Sequence, residues 1–305
     1  MALASPTRRA PFLLFVALCG AATFATSATA RSVPLAERVV ATATGVVVPV
    51  RGRQGGTWVV TTPCGNTARL STVIRLTQPV VVLDPGHGGD EKGASAADGL
   101  LEKTVNLAVA REAQAALERS GFPTLLTRTD DYRVPLAVRG AIVAAAKPRA
   151  FVSIHHNSEP DGSRPEPGTE VYYQYGSADS KRLSGLIYDE VVRSLRTYEV
   201  AWVGDTDAGV KTRLNSRGDD YYGIVRRGGS VPTALAELAF ISNPAESALL
   251  QRGDVQRAEG EAVARGIERF LTTQDPGTGY VTAYPRTEPA GPGGGVGGCI
   301  DPPLG

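Results

Sequence analysis

From residue 80 to residue 250 short β-branched runs alternate with segments whose apolar residues recur at helical spacing, which restricts the fold to a sheet with crossover helices. VVVLD (80–84) enters a Gly-rich turn, and EKTVNLAVAREAQAALERSG reads as a helix stopped at Gly121. PTLLTR (123–128) follows as a strand, PLAVRGAIVAAAK (135–147) as a helix, and AFVSIH (150–155) and EVYYQYG (170–176) as strands. ADSKRLSGLIYDEVVRSL (178–195) is a helix, and the strand TALAEL (233–238) runs into SNPAESALL. There Asn243, Pro244 and Glu246 supply a cap, a first-turn proline and a first-turn acid. The expected class is α/β: an open, mostly parallel twisted sheet flanked by helices. Ligand sites in such sheets gather at the carboxyl ends of the strands.

The flanks have other compositions. Residues 1–30 carry Arg8 and Arg9, the apolar run PFLLFVALCGAATFA and a small-x-small ending at Ala28, Thr29 and Ala30, the pattern of a secretory signal peptide cleaved after Ala30. An uncleaved membrane anchor is the alternative, although the run falls short of the roughly 20 residues a spanning helix needs. TRRAPFLL leaves Sec and twin-arginine export both open. An exported location, secreted, periplasmic or wall-associated, is expected, with no membrane anchor after cleavage.

Residues 31–76 form a small β-rich extension, with RGRQGG and PCGN turns between β-branched runs, compatible with an SH3-like arrangement that braces the fold or touches glycan. The main domain is expected over 77–274. Residues 275–305 are an irregular Gly/Pro-rich tail from which Tyr280 and Tyr284 could dock on the domain. Removing residues 1–30, which hold Cys19, leaves Cys64 and Cys299, for which one disulfide is the economical pairing in an oxidising compartment; two free or separately paired thiols are the alternative. It also leaves 30 basic against 31 acidic residues, a balance that excludes a nucleic-acid partner held by bulk charge.

All three histidines fall at expected strand ends: His87 in DPGHGG, His155 and His156 in AFVSIHHNS. Glu102 opens the helix after the first loop, with Asn106 one turn along the same face, and Glu237 ends the TALAEL strand amid apolar residues. Two histidines and one glutamate are a known ligand set for catalytic zinc, and a second carboxylate can shuttle protons during amide hydrolysis. Taken singly, DPGHGG could be an anion-binding turn, Glu102 a helix-dipole acid, and a strand-end histidine a structural residue. Their combination favours a metal site. Strand alternation sends His155 and His156 to opposite faces, so only one of them is expected to be a ligand.

VVLDPGHGG, GLLEKTVNLAVA, LLTRTDDYRVPLAVR, FVSIHHNS and ALAELAFISNPAE resemble, in order and spacing, the zinc-dependent N-acetylmuramoyl-L-alanine amidases of the amidase-3 type, over residues 79–271. The resemblance implies a peptidoglycan or muropeptide substrate, cleaved at the amide between the lactyl group of N-acetylmuramic acid and the stem L-alanine. It implies one Zn2+ per chain on His87, Glu102 and His155, with Glu237 as catalytic base. His156 stands where the family usually has a small residue, so its role is not inherited. His156, Asn106 and Asn157 are candidates for bracing the ligands or touching substrate. Arg128 and Arg139 fall in a recurring family segment, as architecture or as substrate contacts. Some relatives carry an autoinhibitory helix relieved by an activator protein. Here VGDTDAGVKTRLNSRGDDYYGIVRRGG reads as loops and short strands, so no activator is expected. The rival functions are another zinc amidohydrolase, a peptidase or carbohydrate deacetylase, and a non-catalytic wall-binding protein.

Overall fold

The computed structural model describes residues 1–2, 37–159, 168–198, 208–282, 295 and 297–305. The chain clusters into two units, Met1–Ala30 and Arg31–Gly305, and every element named below lies in the second. The expected signal peptide, apart from Met1 and Ala2, and Tyr284 lie outside the described residues.

Five strands come first: β1 (Val39–Ala41), β2 (Val47–Gln54), β3 (Thr57–Thr61), β4 (Thr67–Leu70) and β5 (Ile74–Arg75). They form one antiparallel sheet in the order β4-β3-β2-β1-β5. Then follow β6 (Val81–Pro85), α1 (Glu102–Arg119), β7 (Thr124–Leu126), α2 (Leu136–Ala146), β8 (Ala150–Asn157), β9 (Glu170–Tyr173) and α3 (Ala178–Leu195). The chain continues through β10 (Gly209–Lys211), α4 (Gly223–Arg227), β11 (Thr233–Phe240), α5 (Pro244–Leu250) and α6 (Gly253–Thr272). The second sheet has the order β10-β9-β11-β8-β6-β7. β7, β6, β8 and β11 run parallel, and β9 opposes β11, so the sheet is mostly parallel as expected.

Alternation along each strand divides the core. Val81, Leu83, Val152, Ile154, Ala236 and Leu238 pack toward α1, α3 and α6, while Val82, Phe151 and Leu235 pack toward α2. On that second side Val40, Val48, Trp58 and Val60 of the small sheet share a core with Val138 and Ile142 of α2. The register sets β6, β8 and β11 side by side, with Asp84 opposite Ser153 and His155 opposite Glu237.

Two elements depart from the sequence reading. Residues 253–272, given no element there, form α6, the longest helix among the described residues. Gly260 and Gly266 weaken its intrinsic propensity, but both are packing requirements. A Cβ at Gly260 would lie 2.7 Å from the Val109 carbonyl, and one at Gly266 2.6 Å from Ile187 Cα, so α6 lies backbone-close to α1 and α3. The second departure is inside VGDTDAGVKTRLNSRGDDYYGIVRRGG, read as loops and short strands. β10 is such a strand, but Gly223–Arg227 is a helix because Ile224 and Val225 turn into the core beside α2. The Asn243 cap is as expected, its side chain accepting from the amides of Ala245 and Glu246.

Cys64 and Cys299 form a disulfide. Asp301 accepts from Thr62 Oγ1, Cys64 N and Asn66 Nδ2, and the Arg133 guanidinium donates to the carbonyls of Gly295 and Gly297. Tyr280 bridges to Val210 beside β10, so the tail lies on the domain at both of its described ends. Cys64 and Cys299 stand 235 residues apart, and so long a loop makes the cross-link restrict the unfolded chain strongly. Cys299→Ser is therefore expected to lower stability by about 2–4 kcal/mol, read as a lower urea midpoint that reducing agent does not lower further.

Candidate metal centre

The loop after β6 is shaped by residues that close-pack it. Gly86 has no room for a side chain: a Cβ there would stand 2.2 Å from the His155 imidazole. His87 has a positive φ of 60°, a conformation uncommon outside glycine that turns its ring back over the strand ends. Two buried guanidiniums hold this backbone. Arg128 donates from Nε to the Pro85 carbonyl at 3.0 Å and from an Nη to the Gly86 carbonyl at 2.9 Å. Arg139 donates to the carbonyls of Pro85 at 2.8 Å and His87 at 2.7 Å. Arg139 also pairs with Asp84, which accepts from Thr127 and Ser153 as well. Burial alone would raise the Asp84 pKa, but Arg139 and these hydrogen bonds outweigh it and hold the carboxyl below its ordinary value. Both arginines are thus architectural, and Arg139 lines the site cavity as well.

His87, Glu102 and His155 come together, one donor atom from each lying within 4.8 Å of the others. Glu102 Oε2 is 3.1 Å from His87 Nε2, and Oε1 is 2.9 Å from His155 Nδ1. The carboxylate is itself oriented: Ala94 N donates to Oε2 at 2.8 Å and Asn106 Nδ2 approaches Oε1 at 3.2 Å. Burial would raise the Glu102 pKa, but the two imidazoles hold it well below the usual carboxylate range. Burial also lowers the pKa of His155, whereas at His87 burial is overcome by the close contact with Glu102 and by the nearby Glu91 carboxylate, which raise it to about 9.

These three residues fit a divalent cation. Ligand atoms on tetrahedral zinc stand about 3.3 Å apart for bonds of about 2.0–2.1 Å, close to the Glu102 contacts above. His87 Nδ1 is buried without a hydrogen-bond partner, and the Glu91 carboxylate 3.8 Å away is placed to take it up once the ring binds a metal.

Glu237 lies in the same cavity of about 310 Å³, across from His87 and His155. Its Oε2 is buried with no hydrogen-bond partner. Burial first, and then the charges of Glu102 and Glu170, push its pKa well above the usual value. Leu136, Tyr221, Tyr222, Ile224 and Leu235 complete the wall, apolar and aromatic opposite the charged groups. The sequence reading singled out neither these tyrosines nor Asp84 nor Glu91. Glu91 had a signal, standing four residues beyond His87; the tyrosines sit in an irregular segment and had none.

The remaining candidates lie around this group. Asn106 touches Glu102, and His156 faces away from the cavity, its Nδ1 2.7 Å from Asn106 Oδ1. Asn157 donates to Glu170 at 2.7 Å, and Glu170 stands opposite Glu237 in the β9–β11 register while also accepting from Lys211 and Tyr172. Cys64 and Cys299 are distant structural partners.

Residues 81–269 match the family model described as N-acetylmuramoyl-L-alanine amidase, amidase-3 type. The chain is 35% identical over 214 residues to the N-acetylmuramoyl-L-alanine amidase LytC of Bacillus subtilis, covering 68% of this chain and 39% of that protein. It is 31% identical over 222 residues to the amidase AmiC of Neisseria meningitidis, covering 64% of this chain and 53% of that protein. The chain thus spans about half or less of these two relatives. Among solved structures, the amidase AmiC2 of Nostoc punctiforme superposes with a TM-score of 0.54 at 32% identity, over 64% of this chain and 98% of that one.

Proposed function

Because the chain belongs to the amidase-3 family of N-acetylmuramoyl-L-alanine amidases, peptidoglycan hydrolases, we propose that it hydrolyses the amide between the lactyl group of N-acetylmuramic acid and the L-alanine of the stem peptide. The observation that carries this reading is the placing of a partnerless carboxylate oxygen on Glu237 in one cavity with His87 and His155.

His87, Glu102 and His155 hold one Zn2+ in this proposal. When bound, that ion polarises the scissile carbonyl and acidifies water. Glu237 accepts the proton of the attacking water through Oε2 and returns it to the alanine nitrogen as the amide bond breaks. Leu136, Ile224 and the Tyr221 and Tyr222 rings exclude bulk water and seat the lactyl and alanyl groups. Arg128, through the Pro85 and Gly86 carbonyls, and Arg139, through those of Pro85 and His87, keep the loop that carries His87 fixed throughout. The division into extension (31–76), catalytic domain (77–274) and tail (275–305) belongs to this reading. So does export directed by residues 1–30; among the described residues no helix is long and apolar enough to cross a membrane. No activator protein is required, and a purified mature enzyme accelerated a hundredfold by a partner would contradict that.

Digestion of purified muropeptides followed by mass spectrometry tests the activity. The expected products are a free lactyl carboxyl and a stem with a free L-alanine amine, absent after chelation. A new amine inside the stem would instead indicate a peptidase, and loss of acetyl mass a deacetylase. Intact substrate with zinc-loaded protein would indicate a binding protein.

Zinc uptake is also expected to release protons. With its pKa raised to about 9, His87 is mostly protonated at pH 7.5 in the metal-free protein, and a ligand must be deprotonated. Titration calorimetry in buffers of different ionisation enthalpy should give close to one proton released at pH 7.5 and a falling number above pH 9. A buffer-independent heat at pH 7.5 would refute it.

A further inference from the structure

Strand alternation on β8 sends the His156 ring away from the cavity, into the layer between the sheet and helices α1 and α6. There it meets two side chains only α1 and α6 could supply. His156 Nδ1 is 2.7 Å from Asn106 Oδ1, and His156 Nε2 is 3.3 Å from Glu259 Oε2, with both ionisable side chains fully buried. The amide fixes the direction of these bonds. Asn106 Nδ2 faces two acceptors, Glu102 Oε1 at 3.2 Å and the Gly86 carbonyl at 3.3 Å, so its Oδ1 must face His156 and the proton of that bond lies on Nδ1. Glu259 sits where the helices are closest, its neighbour Gly260 leaving no room for a Cβ against the α1 backbone.

A buried imidazole–carboxylate pair is a poor stabiliser compared with apolar residues of the same volume. Val105, Val109 and Val263 of the same helices belong to the apolar core. What the pair adds is orientation at its far end. We propose that Glu259 and His156 are positioning residues that lock the Asn106 amide, and through it Glu102 Oε1, in the orientation that binds the metal.

Ala94 N already fixes the other carboxylate oxygen, so Asn106 Nδ2 at 3.2 Å, with the longer contact from the His156 backbone N at 3.4 Å, is what keeps the carboxylate from rotating about that anchor. Without the His156 ring the amide keeps only its long Nδ2 contacts, 3.2 Å to Glu102 and 3.3 Å to the Gly86 carbonyl, and can turn, which leaves Oε1 the His156 backbone amide at 3.4 Å as its remaining bracing donor. The resemblance that assigned His155 left His156 without a role, and this geometry gives it one.

The inference rests on the metal reading above and is separable from it. Zinc affinity is measured by competition with a chromogenic chelator, alongside the melting temperature of the metal-free protein. His156→Leu is expected to weaken zinc binding by roughly 10–100-fold while the metal-free protein stays folded. Asn106→Ala should lose as much, and the double variant no more, because both act through one bond. His156→Asn, which keeps a donor in the place of Nδ1, should bind within about threefold of wild type, the gap from the leucine variant being what a bracing partner supplies. Unchanged zinc affinity in His156→Leu with an altered melting temperature would overturn the proposal, as would losses that multiply in the double variant. Should the leucine variant not fold, His156→Asn decides through the cobalt(II) d–d spectrum: a wild-type band supports the proposal and a shifted band overturns it. A wild-type protein that takes up no zinc would instead sink the metal reading.

Discussion

Glu237→Gln is expected to cut turnover of muropeptides by about 10²–10⁴-fold with zinc affinity unchanged. The substitution keeps the shape of the side chain and removes its capacity to carry a proton, while His87, Glu102 and His155 are untouched. A second effect separates this residue from a structural one. A carboxyl whose folded pKa is raised favours the folded state at low pH and opposes it as pH climbs past the unfolded value, so the Glu237 carboxyl is a net burden on the metal-free fold near neutrality. The metal-free glutamine variant should therefore melt no lower than wild type at pH 7.5. Loss of activity together with a lower melting temperature and weaker zinc binding would assign Glu237 to architecture instead.

Arg139→Ala should be among the most destabilising single substitutions available, costing about 3–5 kcal/mol. It strands Asp84, a fully buried carboxylate whose other partners are two hydroxyls, releases the carbonyls of His87 and Val134, and leaves Pro85 to Arg128 alone. Asp84 also sets the pH response. Its folded pKa is depressed, so its contribution is present above the unfolded value of 3.8 and disappears as pH falls through the lower folded value. Acid unfolding of wild type should steepen below about pH 4. In Arg139→Ala, stability near neutrality should change less with acid, because a stranded Asp84 gains from taking up a proton. Urea midpoints at pH 7.5 and 4.5 and, for wild type, at about pH 3 measure both; a loss below about 1 kcal/mol at pH 7.5 would show that water replaces the guanidinium.

Much of this site was legible because strand periodicity carries side-chain direction. Eight residues of β8 sufficed to separate His155 from His156, and the helix–strand alternation placed His87, Glu102 and Glu237 at one end of the sheet. Other features depended on contacts that no local pattern encodes. Glu259, the partner of His156, lies 103 residues away on a helix whose glycines disguised it. Arg128 and Arg139 stood open between architecture and substrate because a spacing in sequence does not say whether a guanidinium meets solvent or backbone carbonyls. The aromatic wall of Tyr221 and Tyr222 arises from a segment whose one helical turn is too short to leave a periodic trace.

The Cys64–Cys299 bond turns most of the folded chain into a covalent ring that includes every residue assigned here to metal binding or proton transfer. A protease that cuts once anywhere inside the ring leaves a nicked enzyme whose pieces remain one molecule. Such a species should migrate near full mass on a gel without reductant and fall into two fragments with it. In surroundings rich in proteases, clipping of surface loops need not scatter the site, and reduction becomes the step that turns a silent cut into a broken chain.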